Sequence, residues 1–364
     1  MAVGSDISIP SCARVIDVPG TTVMPGLIDG FTNLGLADYP SYGEDDDEAT
    51  GAVTPQMQVI DALNPDNRFF RYALSSGVTT ALCAPAEGNL VSGRSALIRT
   101  DGSTVSEMVL AAPAGVHVTL GEAPKLRYGE KNQMPMTRMG SAALLRQTLI
   151  KAQEYAAKLT RHQEEQASRD RRDGNSPTPP ARDLKLEALL PVLSGELPLI
   201  VSADRFDDIH TALRIADEFG LPLVLNRGAE AHRVAERLAE SGVAVIWGPA
   251  HARYGELEAR RGSARTPAIL AEAGVMIAFQ TGGMVNVTGL LDQARNAVAN
   301  GLARAEALKA LTAYPAEIFG VADRLGSLEV GKRADLLVFD GDPLEGLSKV
   351  ELVFVSGRQV FAGH

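Results

Sequence analysis

The sequence has few cysteines, no surplus of positive charge and no long apolar run, and each shortage removes a class of function. Its 2 cysteines, Cys12 and Cys83, stand far apart without metal-type spacing, which excludes a disulfide framework and fits a reducing compartment. Cys83 sits in an apolar run and reads as a small buried hydrophobe. The 35 Lys and Arg against 45 Asp and Glu leave a formal charge of −10, so no basic excess exists to displace counterions from phosphates and no nucleic-acid partner is expected. No apolar stretch approaches the roughly 18 residues of a membrane helix, and the first residues show no basic region followed by an apolar one. No membrane association is expected, and cytoplasmic residence is. Also missing is a Gly-x-Gly-x-x-Gly opening a helix after the first strand. The Gly-rich turn at 84–93 lacks the Gly-Lys-Ser/Thr of a phosphate loop, so a structural role is expected for it.

What is present is enough apolar material, 45% of 364 residues, for one large α/β domain or a large and a small one. From residue 197 apolar strands alternate with helices: strands over 197–203, 221–226, 243–249 and 275–281, helices over 207–219, 230–240 and 266–273. That alternation predicts a parallel sheet covered on both faces. With the strands before residue 120, about eight fit, so a (β/α)8 TIM barrel is expected over 23–325, a doubly wound sheet being the alternative. Residues 13–18 alternate as a strand, and 350–355 with 359–361 read as a hairpin around Ser356-Gly357. A small composite β-sandwich of 1–22 plus 326–364 is expected from them, its N-terminal part reduced and its open edge covered by a second subunit. Residues 140–159 predict a helix with Leu144, Leu145, Ile150 and Tyr155 on one face. Residues 162–182 predict a flexible surface excursion, and the acidic run Glu44 to Glu48 a solvated loop.

Three stretches are more specific. Val23 to Leu36 reads Val-Met-Pro-Gly-Leu-Ile-Asp-Gly-Phe-Thr-Asn-Leu-Gly-Leu. Near the other end stand Thr312-Ala313-Tyr314-Pro315-Ala316 with Gly320, and Gly326-Ser327-Leu328-Glu329-Val330-Gly331-Lys332-Arg333-Ala334-Asp335. Together they resemble the amidohydrolase superfamily, and within it the imidazolonepropionase-like branch. The resemblance spans nearly the whole chain, and Gly121-Glu122-Ala123-Pro124-Lys125 adds to it. It implies a hydrolase of amide-type C–N bonds, in which one or two ions, zinc or another divalent metal, lower the pKa of a bound water to about 7.

The family's metal ligands are a His-x-His on strand one, a His on each of strands five and six, an Asp on strand eight and, in binuclear members, a Lys on strand four. By the local words those places hold Phe31 and Asn33, then Ser202-Ala203-Asp204, Asn226-Arg227-Gly228 and Phe279-Gln280-Thr281. None of the expected ligands is retained, so no metal and no cofactor is expected. A guanidinium at Arg227 would repel a cation and attract a carboxylate. It is expected to pair with Asp204 and to offer a site for a small anionic ligand. His117, on strand four, and His251, on a loop after Gly248-Pro249, remain as weak candidates for chemistry, a satisfied core histidine being the plainer role for His117. His162, His210 and His232 are expected at the surface, and Asp29 in a structural role. The expected function is that of a non-catalytic partner or a small-anion-binding homologue, assembling as a homo-oligomer or with an amidohydrolase paralogue. The alternative is a hydrolase of cyclic amide or peptide-like bonds with an atypical or absent metal site.

Overall fold

Gly26 divides what the sequence presents as one strand. The computed structural model describes residues 4, 7–38, 44–168, 178–249 and 257–363, and it carries β1 over Thr22–Pro25 and β2 over Leu27–Thr32. β1 belongs to an antiparallel sheet and β2 to a barrel. A Cβ at Gly26 would stand 2.0 Å from Thr79 Oγ1, so glycine is what lets the chain cross between sheets this close to the next barrel strand.

The barrel sheet follows chain order: β2, β3 (Val78–Cys83), β4 (Val91–Arg99), β5 (Val109–Thr119), β6 (Leu199–Ala203), β7 (Leu223–Arg227), β8 (Ala244–Trp247) and β9 (Ile277–Phe279). The expected eight-stranded barrel is present with one strand reversed, because β4 pairs antiparallel with both β3 and β5. The connection 84–90 is too short for a parallel crossover, which needs about a dozen residues, so β4 has to turn back. From β5 onward every ladder is parallel. The intervening helix Phe206–Phe219 buries Ile209, Ala212, Leu213 and Ala216, the spacing of one helical face, and stops at Gly220 in a left-handed conformation, φ 66°. The helix Arg138–Ser168 runs past the expected end and buries Leu145, Leu149, Ala152 and Tyr155. The part of the surface excursion at 169–177 lies outside the described residues.

Ile28, Leu82, Leu97, Ile200, Val224, Ile246 and Ala278 fill the barrel from inside. Ala316 from the helix Ala313–Ile318, with Phe319, Val321 and Leu325 after it, packs against them and closes the floor. Chemistry is thereby confined to the opposite end, the C-terminal tips of the parallel strands. The second sheet is β1, β10 (Leu336–Phe339), β11 (Val350–Val355) and β12 (Arg358–Ala362), built from both chain ends. The strand expected at 13–18 is corrected. That segment carries no strand and Val15 is 65% exposed, because alternation makes a strand only where a neighbour takes up the backbone N–H and C=O groups.

Among the described residues no ladder joins β9 back to β2, and side-chain bonds close the seam instead. Asp29 Oδ1 accepts from Thr281 N at 3.0 Å and from Phe31 N at 3.2 Å, while Oδ2 accepts from Thr281 Oγ1 at 2.5 Å. Gly282 N adds a bond to Phe31 O at 3.1 Å. Burial pushes the Asp29 carboxyl up to about 7, against the pull of the Thr281 and Phe31 hydrogen bonds. Asp29→Ala strands these donors inside the wall, so denaturant titration should show a loss of about 2–5 kcal/mol. A loss under about 0.5 kcal/mol, the range of a neutral surface change, would remove Asp29 from this role.

Candidate functional site

The strand tips carry polar side chains in a protein whose interior just below them is apolar. Ser202 and Asn226 each precede the last residue of their strands, β6 and β7, and Gln280 follows β9; all are buried. They bond into a line across the mouth. Gln280 Nε2 donates to Asn226 Oδ1 at 2.6 Å and to Ile246 O at 3.0 Å. Asn226 Nδ2 donates to Ser202 Oγ at 2.8 Å and to Glu87 Oε1 at 3.1 Å. Asn226, fully buried, is the hub of this line.

Arg227, at the tip of β7, stands between two carboxylates. Its Nε lies 3.5 Å from Asp204 Oδ2 and 3.4 Å from Glu87 Oε2, with only 14% of the side chain exposed. Asp204 is further held by Ala229 N at 3.1 Å. The backbone at Arg227 is left-handed, φ 78°, an uncommon state for a residue with a side chain. The structure thus brings Arg227 and Asp204 together, and it adds Glu87, which sequence reasoning missed. The available signal was position: a charged residue in the loop just after a barrel strand faces the mouth. Gly88 belongs to the same turn, where a Cβ would meet Arg127 Cζ at 2.2 Å.

Asn33, at the tip of β2, accepts from Met284 N through Oδ1 at 2.7 Å and donates through Nδ2 to Asp46 Oδ2 at 2.6 Å. Asp47 pairs with Arg127, and the backbone of Glu48 accepts from Asn89 Nδ2 at 2.6 Å. The acidic run is the expected loop, with Glu44, Asp45 and Glu48 exposed, and Asp46 and Asp47 tie it to Asn33 and Arg127. A second cluster lies on the flank, where Arg138 donates to Asp208 at 2.9 Å, to Glu122 at 3.0 Å and to Glu258. Burial raises the carboxyls of Asp208 and Glu258 there.

Phe31 packs edge-on against His117, ring centroids 5.6 Å apart. His117 is buried, and neither ring nitrogen has a hydrogen-bond partner. The expected satisfied core histidine is corrected to an unsatisfied one. Burial pushes its pKa down to about 3, so the ring is neutral at physiological pH, with one donor and one acceptor unmet. His251 lies outside the described residues. His210 is exposed, but His232 is half-buried against Thr266 Oγ1 at 3.0 Å and His162 is also half-buried, which corrects their surface assignment.

The model of the Amidohydrolase family matches residues 202–360. The crystal structure of an amidohydrolase from Thermotoga maritima MSB8 superimposes with a TM-score of 0.93 at 36% identity, over 100% of this chain and 92% of that one. The chain belongs to the amidohydrolase family. A curated relative, Amidohydrolase tasK of Hapsidospora irregularis, is 28% identical over 379 residues, which cover 97% of this chain and 38% of that protein. The chain thus spans well under half of that relative's length. Phenylurea hydrolase B, at 17% identity and a TM-score of 0.54 over 97% of this chain and 88% of that one, shares the fold.

Membership corrects one expectation outright. Amidohydrolases are typically metal-dependent, so the absence of a cofactor cannot be carried as a property of this chain. The described donors nonetheless do not fit a metal ion. No group of three or more His, Cys, Asp or Glu among the described residues is placed to hold one. Asn33 and Asn226 are committed to neighbours, and the two carboxylates nearest the mouth face a guanidinium. Among the described residues, too, no helix is long and apolar enough to cross a membrane.

Two outcomes are expected from these contacts. Arg227→Met leaves Glu87 and Asp204 facing each other and should cost about 2–4 kcal/mol. Adding Glu87→Gln should restore part of that loss, and strict additivity in the double-mutant cycle would sink the triad. His117→Leu removes two unmet polar atoms and should raise stability by about 1–3 kcal/mol. Because the folded pKa is depressed below the ordinary 6.5, wild-type stability is full above that value and is lost as pH falls toward about 3. The leucine variant should lack this slope when unfolding is followed across pH 7 to 4.

Proposed function

We propose that the chain is an amidohydrolase that has given up hydrolysis and uses its barrel mouth to bind a small polar molecule. What supports this most is the set of bonds among Ser202, Asn226, Gln280 and Glu87. The places where the family positions ligands for a reactive centre are spent on one another. With two carboxylates on Arg227, the described side chains hold no positive excess. A neutral or amine-bearing molecule is therefore favoured over the small anion that Arg227 alone suggested, since an anion would have to displace Glu87 or Asp204. Pairing with a catalytically active paralogue is compatible with this reading.

A second reading keeps hydrolysis of a cyclic amide or peptide-like bond. It is favoured by the names of the relatives, which are amidohydrolases, and by the unmet nitrogens of His117. One experiment separates the two. Purified protein of measured metal content is screened against cyclic amides, ureas and dipeptides, with and without added zinc, manganese or iron. The same compounds are then tested by thermal shift. The proposal expects no turnover above background and a stabilising shift from neutral or amine-bearing compounds that is lost in Asn226→Leu. Turnover abolished by Asp204→Asn or His117→Phe would establish the hydrolase.

A further inference from the structure

The Arg333-Ala334-Asp335 stretch, singled out in the sequence and unused by the mouth, lies at the floor of the barrel. Asp335 makes two contacts there. Its carbonyl accepts from Gly26 N at 2.9 Å, where the chain crosses between sheets, and Oδ1 accepts from Ser356 N at 2.6 Å in the β11–β12 turn. Its other oxygen, Oδ2, is buried with no hydrogen-bond partner, 3.9 Å from Arg333 Nε, too far for a direct bond. Across from it Thr80 Oγ1, on β3, is also buried and unpartnered. Thr80 is 0% and Asp335 5% exposed. Both line a cavity of about 10 Å³ together with Gly26, Thr79, Leu325 and Arg333.

We infer that this cavity binds a single water molecule, which joins Thr80 of the barrel to Asp335 of the antiparallel sheet. The room matches one water, which needs about 10–15 Å³ and two to four polar partners. The partners are complementary. Water donates to Asp335 Oδ2, exchanges a hydrogen bond with the Thr80 hydroxyl and accepts from Arg333 Nε. At normal distances of about 2.8 Å, one molecule bridges the gap between Asp335 and Arg333 with an angle near 90°. A cation is disfavoured by the guanidinium of Arg333 and by the few oxygens present, since calcium takes about six to eight. An anion is disfavoured by the Asp335 carboxylate. The bridge makes Asp335 a three-way link among the sheet crossing, the terminal hairpin and the barrel wall.

A crystal structure of the full chain that resolves ordered solvent should show one density peak about 2.7–3.0 Å from both Thr80 Oγ1 and Asp335 Oδ2. An empty cavity, or a peak with metal-like distances near 2.4 Å, overturns the assignment. Thr80→Val supplies a test of opposite sign. If water bridges the site, the valine variant loses a hydrogen bond and its thermal midpoint falls by about 2 °C, while Thr80→Ser stays close to wild type. If the cavity is dry, removing an unmet hydroxyl leaves the midpoint unchanged or raises it, and the inference fails.

Discussion

The carboxylate of Asp29 accepts the backbone and side-chain donors of Thr281 across the seam that no described β-ladder closes, and the geometry of the mouth follows from that clasp. A barrel places inward side chains accurately only if its first and last strands are held in register. Here the residues after β9 are fixed to β2 and the residue that follows it at three places, by Asp29 on Thr281, by Phe31 O on Gly282 N and by Asn33 on Met284 N. Gln280 lies directly before Thr281, so the same clasp sets where its amide meets Asn226. A buried carboxylate is an expensive fastener, and burial accordingly raises its pKa. The converging donors are what make it tolerable.

At the mouth, hydrogen bonds and ion pairs tie the strand-tip side chains to one another. The arrangement is chemically coherent: the amides of Asn226 and Gln280 and the hydroxyl of Ser202 satisfy each other, and a guanidinium is held between Glu87 and Asp204. The exception is His117. A neutral imidazole with two unmet nitrogens in the barrel is destabilising as it stands, and residues that oppose local stability cluster where a protein binds something.

The C-terminal hairpin and the later alternation of strands and helices were legible because each depends on local pattern. Apolar runs of strand length, a glycine after a helical face, and the Pro25-Gly26 pair all act within a few residues. The reversed direction of β4 was available in principle, since a short connection cannot cross over. Glu87 and the anchoring of Asp46 and Asp47 were not, because a charged loop residue looks the same in sequence whether it faces water or reaches an arginine or an asparagine on another strand. Nor could the sequence tell whether a histidine within a strand would find a partner. That depends on what stands across the barrel, and for His117 it is the edge of Phe31.

By itself the sequence determined the family, the strand tips on which a site would be built, and which side chains stand there, because those follow from residue type and periodicity. Only the tertiary structure decided that Asn226 is the hub, that Arg227 is shared by two carboxylates and that Asp29 closes the barrel. Each of these is a contact between residues distant in the chain, and its energy depends on burial and distance, which strand order and register set.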